Sequence, residues 1–192
     1  MLGAGEALEH LCAPEPCSSP VATYRLQQDG HAAAGSATLR DRPMPEFTAV
    51  DLSGEPVRSS AFAGRLTGLL FVGSDCETCA LTLHDLDALH AKSDRNLVVI
   101  CQGGRDQCAE LAEVYRIAVP VVADHDRQIS DLFGITSVPT AVIVDENGQI
   151  ASFGHPVGGE QLEDLMATAR AEVNGHELVL QQHGHEPRGG ER

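Results

Sequence analysis

An apolar run at residues 66–72, interrupted only by Thr67 and Gly68, stops abruptly at Gly73-Ser74-Asp75 and gives way to a helical period. No other stretch constrains the fold as much. A short, nearly continuous apolar run bounded by turn residues reads as a strand buried on both faces, as in a parallel sheet. Cys79, Leu83, Leu86 and Leu89 then recur at helical spacing and share one face. A buried strand feeding an amphipathic helix through a tight turn calls for a layered α/β architecture.

The flanking sequence extends this pattern. Glu46–Val50 and Pro56–Val57 read as short strands around the turn Asp51-Leu52-Ser53-Gly54. Leu97–Cys101 is a second buried strand, broken by Gly103-Gly104. Cys108, Leu111, Ala112 and Tyr115 mark the inner stripe of the helix that follows. Pro120–Ala123 reads as a short strand and Arg127–Phe133 as a short helix ended by Gly134. Thr140–Val144 and Gln149–Phe153 form a hairpin through Asp145-Glu146-Asn147-Gly148. Leu162, Leu165, Met166, Ala169 and Val173 line the last helix. The order predicts parallel strands at the centre of a mixed sheet, an antiparallel edge pair and flanking helices. Residues 43–173 form this domain. Residues 1–42 read as an arm, with short structure at Val21–Leu26, and 174–192 as a polar tail expected to be disordered.

The chemistry centres on Cys76-Glu77-Thr78-Cys79. Two cysteines at this spacing on a first helical turn can close a disulfide while the first faces solvent. Unpaired N–H groups and the positive dipole end of the helix stabilise a thiolate. Known thiols so placed have pKa values of roughly 3.5–7.5. Cys76 is therefore the expected nucleophile, and Cys79, on the buried stripe, the group that resolves the mixed disulfide. A zinc site would need a second ligand pair. Cys101 and Cys108 are too far apart to supply a knuckle, and His84 and His90 lack the usual spacing, so no metal and no cofactor are expected.

Acidic residues outnumber basic ones 28 to 13, for a formal charge of -15. Such a surface repels nucleic acid and anionic lipid, which excludes both as partners. No apolar stretch is long enough to span a bilayer, and the residues from Met1 to Glu6 lack the pattern of a secretory signal. The six cysteines fall into local pairs, Cys12 with Cys17, Cys76 with Cys79, and Cys101 with Cys108, which leans towards an oxidising compartment. Cys12 and Cys17 either staple the arm or remain thiols. Cys101 and Cys108 are either a second disulfide near the active site, structural or relaying electrons, or two small buried hydrophobes.

Residues 43–173 resemble a thioredoxin-superfamily domain of the TlpA-like and redoxin branch, which includes the MauD-type proteins. The resemblance is carried by Met44-Pro45-Glu46-Phe47 with Asp51–Gly54, by Leu69–Cys79, by Gly134-Ile135-Thr136-Ser137-Val138-Pro139-Thr140, and by the hairpin turn. It implies a thioredoxin fold and a thiol–disulfide oxidoreductase acting on protein disulfides or thiols, with an upstream redox partner. It also implies that Pro139 is a cis-proline opposite the CxxC, leaving the Val138 backbone free to pair with a substrate strand. Relatives of this type face the oxidising side of the bacterial membrane on an N-terminal anchor. The expectation is thus an extracytoplasmic protein, tethered by a segment outside this chain, with a cytosolic protein as the alternative.

The departures are as informative. Asp75 stands where many relatives have an aromatic residue, and its charge opposes a thiolate at Cys76 unless it caps the helix. Leu70 replaces the buried acid of thioredoxins proper. The direction of transfer, reductant or oxidant, stays open. Peroxiredoxins would need proline at Leu69 and a hydroxyl at Gly73, so peroxidase activity is not expected. The competing class is a copper-binding chaperone or a non-catalytic thioredoxin-like module, with His155 as the added ligand. The tail residues His176, His183 and His185 read as solvated.

Overall fold

The structure, a computed structural model, describes residues 39–91 and 96–183. The readings at Val21–Leu26, Cys12, Cys17 and His185 lie outside the described residues.

The element order is β1 (Thr48–Val50), β2 (Pro56–Arg58), a 3-10 turn (Ser59–Phe62), β3 (Thr67–Gly73), α1 (Glu77–His84), α2 (Leu86–Ala91), β4 (Asn96–Gln102), α3 (Arg105–Val114), β5 (Val121–Ala123), α4 (Gln128–Leu132), β6 (Thr140–Val144), β7 (Ile150–Gly154) and α5 (Gly159–His183). One sheet runs β5-β4-β3-β6-β7, with β3, β4 and β5 parallel and β6 and β7 antiparallel. This is the thioredoxin-like arrangement that the sequence predicted. The helix α5 continues past residue 173, where the apolar period placed the end of the domain.

Side chains alternate across β3. Leu70 and Val72 point into one layer with Leu83 and Leu86 of α1 and α2, Leu111 of α3 and Leu162 and Met166 of α5. Leu69 and Phe71 point into the other, with Phe47, Phe62, Ile129 and Phe133. Burial on both faces gives β3 its apolar character and fixes its register, since a slip of one residue would exchange the layers. Thr67↔Asn96 through Gly73↔Gln102 pair in parallel, so β3 and β4 end side by side. Helices leaving these ends gather the reactive groups at one edge of the sheet.

The expected single helix after Cys76 is two helices. It breaks at Asp85, whose N–H bonds to the Leu83 carbonyl. The Asp85 carboxylate instead caps α5, accepting from the Gly159 N–H at 3.0 Å. The apolar face survives the break, because Leu83, Leu86 and Leu89 all remain buried.

Asp51 organises the β1–β2 turn. Its Oδ1 accepts from Ser53 N–H at 2.8 Å, Ser53 Oγ at 2.6 Å and Glu55 N–H at 2.9 Å. The hairpin docks on β5 through Leu52 N–H to the Val121 carbonyl at 2.9 Å. Burial pushes the Asp51 carboxyl up, but the hydrogen bonds from Ser53, Glu55 and Gly54 together outweigh it and leave the pKa below the usual 3.8. A lowered folded pKa adds stability that is complete above the ordinary aspartate value and disappears as pH falls through the folded one. Urea unfolding across an acid series is expected to show wild type losing stability below about pH 4, and Asp51→Asn flattening that limb. An unchanged slope in the variant would remove Asp51 as the cause.

Candidate active site

The chain leaves β3 at Gly73 and turns straight into α1. Cys76 is the N-cap of that helix, and its Sγ accepts from the Cys79 N–H at 3.2 Å. Cys76 and Cys79 are joined in a disulfide with Cα atoms 5.3 Å apart. Cys76 is half-buried, whereas Cys79 is fully buried among Leu70, Val72 and Leu83. The structure decides the alternative left open for Asp75. It does not cap the helix, since Cys76 occupies that position, and it lies exposed. Leu70, at the position of the buried acid, is 1% exposed within the apolar layer. Leu69 is equally buried, and with Gly73 it leaves neither a proline nor a hydroxyl at the two positions where a peroxidatic site would need them.

The Val138–Pro139 peptide bond is cis. Val138 packs against the same apolar layer as Cys76, and Gly73 is what lets them meet. A Cβ at Gly73 would lie 3.3 Å from Cys76 Cβ and 3.4 Å from Val138 Cγ2, tight on both sides. A side chain here would need its neighbours to give by a few tenths of an ångström, so glycine suits this close approach, and its φ is ordinary. In the sequence Gly73 reads as a strand terminator and as the place of a missing hydroxyl, not as a contact. The signal was a lone glycine closing a buried strand, but a terminating glycine and a contact glycine look alike in one dimension.

The second cysteine pair is also closed. Cys101 and Cys108 form a disulfide with Cα atoms 5.9 Å apart, and both are fully buried. It ties the first turn of α3 to the end of β4. A Cβ at Gly103 would come 2.8 Å from Ser74 Oγ and 3.4 Å from Cys108 Sγ, so Gly103 lies against both the turn before Cys76 and this bridge. An open cleft of about 420 Å³ lies between residues 74–77 and α3, where Gln107, Glu110, Leu111 and Tyr115 form its wall. The ionisable groups around this mouth include Asp75, Glu77 and Glu110. The bridge thus fixes one wall of the cleft beside Cys76.

His155 does not join the cysteines. Its Nδ1 lies 2.9 Å from Thr140 Oγ1 and 3.1 Å from the Pro139 carbonyl. His84 and His90 are solvent-facing on α1 and α2. Among the described residues no group of three or more His, Cys, Asp or Glu side chains converges to hold a metal ion.

The profile of the AhpC/TSA family matches residues 41–153. The chain belongs to that family. Among curated proteins it is 26% identical over 110 residues to the thiol-disulfide oxidoreductase ResA of Geobacillus kaustophilus, covering 55% of this chain and 63% of the relative. The chain thus spans somewhat less than two thirds of the length of that relative. Among solved structures, a thiol:disulfide interchange protein of the thioredoxin family from Chlorobium tepidum matches with a TM-score of 0.58 at 19% identity, over 69% of this chain and 99% of that one. A secreted disulfide oxidoreductase of Mycobacterium tuberculosis, homologous to E. coli DsbE, matches with a TM-score of 0.57 at 21% identity, over 65% and 95%. At these identities the structural likeness establishes the fold.

Removing the second bridge reads out its role. By loop-closure entropy, a bridge joining residues 101 and 108 stabilises by about 2–3 kcal/mol. A Cys101→Ala, Cys108→Ala double variant is expected to lose about that much in denaturant unfolding under non-reducing conditions. A midpoint equal to wild type would argue against any stabilising role for the pair.

Proposed function

We propose that the chain is a thiol–disulfide oxidoreductase that exchanges the Cys76–Cys79 disulfide with cysteines of protein substrates. The observation that carries this reading is the disulfide at the α1 N-terminus, with its first sulfur accessible and its second buried. The thiol-disulfide oxidoreductase activity named for the matched relative supports it.

In the reducing direction, the Cys76 thiolate attacks one sulfur of a substrate disulfide, and the other substrate sulfur leaves as a thiolate. Cys79, one helical turn away, then attacks the Cys76 sulfur, closing the intramolecular disulfide and expelling the second substrate thiolate. The substrate gains two electrons and the CxxC loses them. Run backwards, the same two exchanges oxidise a substrate dithiol. The Cys79 N–H aimed at Cys76 Sγ stabilises charge on that sulfur, and the α1 N-terminus adds to it.

In this reading Val138 and Pro139 form the docking edge. An extended substrate segment lies along the Val138 backbone, which places its sulfur beside Cys76. An upstream redox partner resets the pair between turnovers. The working unit is the thioredoxin-like domain from residue 43, with α5 completing one layer. The buried Cys101–Cys108 bridge and the secreted relative favour an oxidising, extracytoplasmic setting. No helix among the described residues is long and apolar enough to cross a membrane, so a tether in this reading comes from outside them.

Cys76→Ser is expected to lower insulin-disulfide reduction by about a hundredfold or more. Cys79→Ser should instead accumulate substrate-linked mixed disulfides, visible by mass on non-reducing gels. Turnover that survives Cys76→Ser would overturn the assignment of the nucleophile.

A further inference from the structure

The His155 ring is exposed, yet one of its nitrogens is firmly committed. The Thr140 hydroxyl has a single hydrogen, which it donates to the Ser137 carbonyl at 2.6 Å. Towards His155 it therefore offers a lone pair, and the Pro139 carbonyl can only accept. Two acceptors face Nδ1, so the hydrogen-bond network assigns the ring hydrogen to Nδ1. The neutral tautomer with hydrogen on Nδ1 and the imidazolium both donate at this point.

What these bonds join is more telling than their number. The loop carrying Val138 and Pro139 is gripped on its near side by Arg127, whose Nη2 donates to the Ile135 carbonyl at 2.7 Å. Pro139 has no N–H, so its backbone can be tied only through its carbonyl. His155 takes that carbonyl. The corner that carries His155 is in turn stitched to the CxxC helix. Thr82 of α1, fully buried, donates to the Pro156 carbonyl and accepts from the Gly158 N–H, both at 3.0 Å. A polar chain thus runs from α1 through the β7–α5 corner to the Pro139 carbonyl. Neither hydrogen bond of the His155 ring reaches a cysteine.

We infer that His155 is a positioning residue for substrate docking: through Nδ1 it holds the Pro139 carbonyl, and with it the Val138 backbone, in place beside Cys76. This rests on the reading of Val138 as the docking edge. The ring takes no part in sulfur exchange. Its contribution is to spare an incoming strand the cost of ordering the edge it pairs with.

Two reactions separate that role from general damage. Reduction of insulin requires docking, whereas reduction of the Cys76–Cys79 disulfide by dithiothreitol does not. His155→Ala is expected to lower kcat/KM for insulin by about tenfold, mostly through KM. His155→Asn keeps an amide N–H near the place of Nδ1 and is expected to recover to within about twofold of wild type. In both variants the dithiothreitol rate should stay within about twofold of wild type. Unchanged insulin kinetics in His155→Ala would overturn the inference, and so would an equal loss in the dithiothreitol reaction. If His155→Ala does not fold, His155→Asn decides alone, because a tenfold loss despite the retained donor would overturn it. Cys76→Ser in the same assay tests the underlying reading separately. Turnover that survives it overturns Cys76 as the nucleophile, absence of turnover in the wild type defeats the oxidoreductase proposal, and loss in Cys76→Ser beside unchanged His155→Ala kinetics defeats only the positioning role.

Discussion

Three segments meet closely at the carboxyl end of β3, and the CxxC end of the molecule is built on that contact. A Cβ at Gly73 would lie 3.3 Å from Cys76 Cβ and 3.4 Å from Val138 Cγ2. Next to it, Ser74 rests on Gly103 above the Cys101–Cys108 bridge. Both glycines sit where parallel neighbouring strands end together, because the register pairs Gly73 with Gln102. Two buried strands of matched length therefore do more than build the core. They bring the CxxC helix, the Pro139 loop and the α3 wall to one edge, and the absent side chains let these elements close.

Much of this was legible in one dimension because burial on two faces leaves a strong trace. The apolar stretch became β3, and the helical stripe from Cys79 to Leu89 became the buried faces of α1 and α2. The hairpin at Asp145–Gly148 formed where turn chemistry placed it, with Gly148 at φ +77°. What escaped were features decided by partners distant in sequence. Asp85 breaks the helix in favour of capping α5. Arg105 reaches the Asp51 and Leu52 carbonyls, binding α3 to the first hairpin. Neither is written in local spacing. The state of Cys101 and Cys108 stayed open for the same reason: separation along the chain allows a bridge, but only the packing of α3 on β4 brings the two Cα atoms within range.

Buried polar groups carry the long-range wiring that apolar packing leaves unspecified. Asp124, 4% exposed, accepts from Ile129 N–H, Ser130 N–H and Ser130 Oγ, and so starts α4 beside the end of β4. Gln102, just beyond Cys101, bridges Ser130 Oγ and Arg127, which continues to the Ile135 carbonyl. Each of these groups would be costly to bury unpaired. Satisfied together, they position the loop before Pro139 from one side, as Thr82 and His155 do from the other.

The charge pattern around Cys76 follows from the same geometry. The helix offers its sulfur one directed N–H at 3.2 Å and the positive end of the α1 dipole. Against these stand Asp75 and Glu77, both exposed to solvent. A like charge in water acts at high dielectric and is screened by salt, whereas a hydrogen bond to a half-buried sulfur is neither diluted nor displaced so easily. The directed bond therefore acts on the Cys76 sulfur itself, and the acids on the solvent around it. With Glu110 across the cleft adding to the same sign, the mouth carries a negative field, while the N–H directed at the Cys76 sulfur belongs to the backbone, so side-chain substitution nearby leaves it in place.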